Sequence, residues 1–190
     1  MDKGRGKESA VRISLLDVMY GVVLAYGFGF FDQASMLTDY ILFSFAYAII
    51  IVDWIYVHSL YWGWEYKYNS FLILDIGILF TMSRLLSTST AGHSLCYWLW
   101  MSVLFAIYVT WDIVSKRKGL PSEYDWRYSI GGDLFATIAF LVFYILLLKG
   151  KFQPNSIPLI VGTIAVYIIA VLTWFKKLPQ PREDIVSGSR

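Results

Sequence analysis

Six long apolar runs alternate with short polar breaks along the chain, at residues 13–31, 39–60, 69–87, 95–115, 129–149 and 157–175. A helix rising 1.5 Å per residue needs about 20 mostly apolar residues to cross the hydrocarbon of a bilayer, whereas a barrel strand needs about half as many. The pattern therefore predicts six transmembrane α-helices. The five prolines respect these limits: Pro121, Pro154, Pro179 and Pro181 fall in the breaks, and Pro158 stands at a helix start, where its missing N–H costs nothing. The breaks are short, so the expected organisation is an N-terminal tail (1–11), one six-helix domain (12–177) and a C-terminal tail (178–190), with no separate soluble module.

Composition strengthens the membrane reading. Hydrophobic residues make up 57% of the 190 residues, charged residues only 16%, and the mean hydropathy is +0.56; soluble domains carry about a quarter charged residues. The net charge of +2 says less than where the cations lie. Lys and Arg accumulate in cytoplasmic segments. With the N-terminus inside, thirteen cations fall on inner segments, and only Arg84, Lys149 and Lys151 fall on outer ones. Both termini are thus expected in the cytoplasm, in the plasma membrane of a prokaryote. Trp54, Trp62, Trp64, Trp111, Trp126 and Trp174 lie near inner ends and Trp98 and Trp100 near an outer end, the positions of interfacial aromatic belts. The first run is too long for a removable signal peptide and lacks its cleavage pattern. Cys96 is the single cysteine, so no intrachain disulfide forms. The basic loop "SKRKGLPSEYDWR" follows from topology alone and does not call for nucleic acid.

Carboxylates inside the apolar runs are the unusual feature. Asp17, Asp75 and Asp133 recur at a spacing of 58 residues, each shortly after a cation and a serine: Arg12 and Ser14, Lys67 and Ser70, Arg127 and Ser129. The even-numbered runs also end alike, in "IIIVDWIYV", "IYVTWDIVS" and "IAVLTWFKK", each with a tryptophan. A helical hairpin repeated three times, with its copies in one orientation, accounts for both patterns. In that topology Asp53 and Asp112 share the cytoplasmic third of the membrane with the other three.

Two roles suit these acids. Ser14 and Asp17 form S-x-x-D, a capping-box pattern that Ser70 with Asp75 and Ser129 with Asp133 follow more loosely; Arg12 and Arg127 would then be ion-pair partners. Alternatively, because an Asp at mid-membrane costs about 2.5–3.5 kcal/mol and such residues face a bundle interior or a wet cavity, the five acids form a hydrated inner vestibule below an apolar gate. His58, near the inner end of the second helix, is a candidate proton relay. "YGFGF" lies within a spanning run and is not a re-entrant potassium filter; Gly21, Gly27 and Gly29 read as close-packing positions, as do Ala136 with Ala139 and Gly162 with Ala165. "IGGD" at residues 130–133 lacks the first glycine of the G-x-G-D of intramembrane aspartyl proteases. With no zinc, serine-hydrolase or phosphate-loop motif present, neither an enzyme nor a bound cofactor is expected.

Residues 12–90 resemble the lysosomal and prokaryotic potassium-channel family that carries a Phe-Ser-Asp signature on its first helix. Arg12 precedes Asp17 as in that family, although the tripeptide here is Leu15-Leu16-Asp17. Ser44 with Phe45, then Trp54 and His58, are similar to its second helix, and "LILDIGILF" around Asp75 to its third, with Asp in place of Asn. The resemblance implies a homo-oligomeric cation channel whose first helices line a pore closed by bulky apolar side chains. The expectation is thus a K⁺ or H⁺ channel with Asp17, Asp75 and Asp133 as vestibule carboxylates, supported by Asp53 and Asp112, in contact with membrane lipids. A non-conducting scaffold or partner subunit, and a proton-coupled carrier of small solutes, are the alternatives.

Overall fold

The structure is a computed structural model that describes residues 3–61, 69–90, 94–118, 126–154 and 156–177. Lys67, Trp62, Trp64, His93, Pro121, Tyr124, Asp125 and the tail from residue 178 lie outside them. All regular structure among these residues is α-helical: α1 (Lys3–Phe31), α2 (Leu37–Tyr61), α3 (Asn69–Ser89), α4 (Ser94–Arg117), α5 (Trp126–Leu148) and α6 (Ile157–Lys177). Each of the six contains a stretch long and apolar enough to cross a membrane, in keeping with an integral multi-pass membrane protein. Helix α1 starts at Lys3, well before its apolar run, because Lys, Arg, Glu and Ala sustain a helix as readily as apolar residues do.

The helix ends follow local chemistry. In the α1–α2 turn the Asp39 carboxylate accepts from the backbone N–H of Met36 at 3.2 Å and of Ser35 at 3.0 Å, the back-reaching half of a capping box. Helix α5 closes on Gly150 at φ 65°, where the N–H of Lys151 reaches the Leu146 carbonyl and that of Gly150 reaches Leu147. This is a Schellman cap, and it needs the residue without a Cβ.

Helices α2 to α6 form a closed ring, each packed on the next and α6 returning to α2, while α1 lies outside against α2 and α3. Large aromatic side chains fill the ring. Trp174 stands at its centre, stacked on Tyr56 (5.1 Å) and edge-on to Tyr108 (4.8 Å). Toward the other end of the same helices, buried Trp98 on α4 donates to the Thr163 hydroxyl of α6 at 2.7 Å. Lipid is as apolar as leucine, so packing and interhelical hydrogen bonds of this kind hold membrane helices together. The outer surface is itself apolar, with Val18, Val22, Ile73, Phe80, Leu134, Ile138, Val161 and Leu172 all exposed.

Close packing uses part of the expected set of small residues. A Cβ on Gly27 would come within 2.5 Å of the Tyr47 hydroxyl and 2.7 Å of Leu86 Cδ1, so this glycine admits α2 and α3 to α1. Gly162 packs under Phe143 and Ala136 is fully buried. Gly21 and Gly29, expected at such contacts, face open space instead, and Ala165 is exposed.

Candidate functional site

Four carboxylates from four successive helices meet inside the ring. Asp53 of α2, Asp75 of α3, Asp112 of α4 and Asp133 of α5 are each no more than 5% exposed. Together with Tyr56, Tyr108, Trp111, Ser129 and Trp174 they line a cavity of about 20 Å³, room for a single water molecule.

Neighbouring helices supply donors to each acid. Asp53 accepts from the Tyr108 hydroxyl of α4 at 2.8 Å and from the Tyr20 hydroxyl of α1. Asp112 accepts from the Ser129 hydroxyl of α5. Asp75 accepts from the indole N–H of Trp111 at 3.0 Å, and Asp133 from that of Trp174 at 2.6 Å. Packing aims these indoles: Phe71 lies 5.2 Å from Trp111. On α5 the missing Cβ of Gly132 lets Thr173 of α6 approach, which brings the adjacent residues Asp133 and Trp174 together. A hydrogen bond to an ionised acceptor is about twice as strong as a neutral one, and each of these bonds also ties two helices.

Asp17 stands apart from the cluster. It lies on the outer helix with its side chain 45% exposed, and its carboxylate accepts from the Trp54 indole at 2.9 Å and meets His58 Nε2 at 2.9 Å. His58 Nδ1 in turn lies 2.8 Å from the Trp54 carbonyl, and the two rings of α2 stack at 4.5 Å. An imidazole facing two acceptors makes both bonds only with a proton on each nitrogen. The two sites are nevertheless adjacent. Asp17 and Tyr20 are one turn apart on α1, and their partners Trp54 and Asp53 are neighbours on α2.

Several sequence expectations change accordingly. The capping role fails, because neither α1, α3 nor α5 has an acid in its first turn. Ser14 lies inside α1, and Ser129 serves Asp112 rather than its own helix start. The vestibule of five acids resolves into four enclosed ones and one at the surface. Arg12, half-buried on α1, and Arg127, exposed at the start of α5, occupy the same end of the helices as the cluster. Trp98, Trp111, Trp126 and Trp174, expected in interfacial belts, are buried, whereas Trp54 is exposed.

Sequence reasoning missed Tyr20, Tyr108 and Ser129 as ligands of the acids. It noted Asp17, Asp75 and Asp133, and the tryptophans 37, 36 and 41 residues later, without pairing them. Among the described residues no group of three or more His, Cys, Asp or Glu is disposed to hold a metal ion. No protein-family model, curated protein or solved structure matches this chain.

Proposed function

We propose that this protein conducts protons across a membrane through the buried carboxylate cluster. The observation that carries the reading is the convergence of four acids from four helices on a cavity of about 20 Å³. Ionisable groups are costly within a membrane and concentrate on ion paths and proton relays. The cavity has room for a water molecule and none for a solute, and a proton needs only one water and a chain of hydroxyls and carboxyls. Asp17 and His58 take up the proton at the surface, Tyr20 links their level to Asp53, and Asp53, Asp112, Asp75 and Asp133 hold it around the cavity, from which it crosses the apolar outer half of the bundle by transient wetting of the gate. A single chain contains the whole cluster, so conduction does not depend on the homo-oligomeric pore that the potassium-channel resemblance implies.

The same reading treats the chain as three hairpins, α1–α2, α3–α4 and α5–α6, in one orientation. The three indole-to-Asp bonds support it, each running from the even helix of a hairpin to the odd one. The distribution of Lys and Arg supports placing the cluster on the cytoplasmic side with both termini.

The test is purified protein in liposomes holding a pH-sensitive dye, with a valinomycin-imposed potassium diffusion potential drawing protons inward. Wild type is expected to acidify the lumen faster than protein-free vesicles, and Asp53→Asn and Asp133→Asn are expected to fall to the protein-free rate. Equal rates with and without wild-type protein would refute proton conduction. Unchanged flux in both variants would remove the cluster from the path. Potassium flux in vesicles without valinomycin, and without proton flux, would favour the potassium-channel reading, three of whose residues, Asp17, Trp54 and His58, meet at the surface.

A further inference from the structure

Helices α1 and α3 leave a groove between them on the outside of the ring. It holds about 450 Å³ and is lined by Val18, Val22 and Tyr26 from α1 and by Ile76, Phe80 and Arg84 from α3. That volume lies within the range of small-molecule sites. The hydrocarbon here would be lipid, yet one end of the groove is cationic. The Arg84 guanidinium lies 5.6 Å over the face of Trp100, and Phe80 packs edge-on against the same indole at 6.0 Å. Arg84 has no carboxylate partner among the described residues.

From these features we infer that the groove binds a phospholipid with an anionic headgroup, one acyl chain lying between α1 and α3 and the phosphate on Arg84. Length supports the assignment. Val18 to Tyr26 and Ile76 to Arg84 each advance by eight residue steps, about 12 Å of helix, close to the half-thickness of a hydrocarbon core, about 15 Å. Depth supports it too. Val18 and Ile76 directly follow Asp17 and Asp75, so the groove begins at the level of the acids and ends at Arg84 toward the opposite face of the membrane, where a headgroup belongs. The guanidinium presents paired N–H donors to phosphate oxygens, and its planar face rests on Trp100.

Charge argues against a second copy of the chain in this groove. A two-fold axis along the membrane normal keeps every residue at its own depth, so it would bring Arg84 to the level of its symmetry mate. A lipid phosphate supplies the opposite charge. The bound chain would also fasten α1, whose main packing is on α2 and α3.

Native mass spectrometry of delipidated protein in neutral detergent, titrated with phosphatidylglycerol or phosphatidylcholine, tests the site. Wild type should retain phosphatidylglycerol in preference to phosphatidylcholine. Arg84→Gln should abolish the preference while still binding lipid, and Val22→Trp, which fills the groove, should lose retention of both. Val161→Trp, on the exposed face of α6, should behave as wild type and controls for a general effect of surface tryptophan. Equal retention of the two lipids by wild type, or unchanged retention in Arg84→Gln and Val22→Trp, would overturn the proposal. So would a two-chain species that dissociates in Val22→Trp, because the occupant would then be a second copy.

Discussion

Trp54, Trp111 and Trp174 make the same hydrogen bond in three different surroundings, and replacing each by Phe separates the effect of burial from that of chemistry. Trp174 is 1% exposed and Trp111 5%, whereas Trp54 is 40% exposed. Trp174→Phe keeps an aromatic ring against Tyr56 and Tyr108 and removes the N–H that lies 2.6 Å from Asp133. Interhelical hydrogen bonds in membrane proteins average about 0.6 kcal/mol and reach about 1.7. A buried acceptor that loses one of its donors costs up to about 1–3 kcal/mol, more when it is charged. The expected loss at Trp174 and at Trp111 is therefore about 2–3 kcal/mol each, against less than about 1 kcal/mol at Trp54, where water and His58 still serve Asp17. For a chain of this size 1 kcal/mol moves a melting midpoint by about 2–4 °C, so the buried variants should melt about 4–12 °C below wild type. Thermal unfolding in one neutral detergent reads all three. A double-mutant cycle with Asp133→Ala, which removes the acceptor, should show coupling at Trp174. If Trp54→Phe cost as much as Trp174→Phe, or if the cycle showed no coupling, the indole-to-carboxylate bonds would not be what holds these helix pairs.

Two further outcomes follow from particular contacts. Gly27→Ala would drive a methyl against the Tyr47 hydroxyl, which is held by its own bond to the Leu24 carbonyl at 2.6 Å, and should destabilise by about 1–3 kcal/mol in the same melts; Gly21→Ala, with nothing within 4 Å, should be neutral or stabilising by up to about 1 kcal/mol. Equal effects at the two glycines would refute the close-packing assignment. His58→Gly removes the imidazole that lies 2.9 Å from the Asp17 carboxylate and should slow proton flux in weakly buffered liposomes, with added imidazole restoring it; flux unaffected by the substitution would take the Asp17–His58 pair off the path.

Hydropathy made the six helices legible because a membrane imposes a length that few other folds share. It also brought the acids to a common level along the helices, since each residue advances a helix by 1.5 Å whatever its neighbours. What it could not supply is the direction in which a residue points around its helix. Helices that meet lipid on one side and other helices on the other are apolar on both, so no polar face marks the inside. Asp17 and Asp75 therefore look equivalent in sequence, although one reaches the surface and the other the ring. The tryptophans illustrate the same ambiguity: their depth fits an interfacial belt as well as it fits a donor to a carboxylate at that depth. Gly21 and Gly27 likewise differ only in which way the helix turns them.

The position of α1 explains why one of three like pairs became a surface feature. In α3–α4 and α5–α6 both helices belong to the ring, so the bond between Asp and Trp is sealed by neighbours on either side. In α1–α2 only α2 belongs to the ring, and the pair formed with α1 is left at the periphery. The ring keeps its acid at that level through Asp53, the residue beside Trp54, while α1 contributes the Tyr20 hydroxyl. Displacing α1 from the ring thus separates two duties that the other hairpins combine. The Asp17–Trp54 pair is left exposed while the four ring acids are enclosed, a division that a ring including all six helices would have removed.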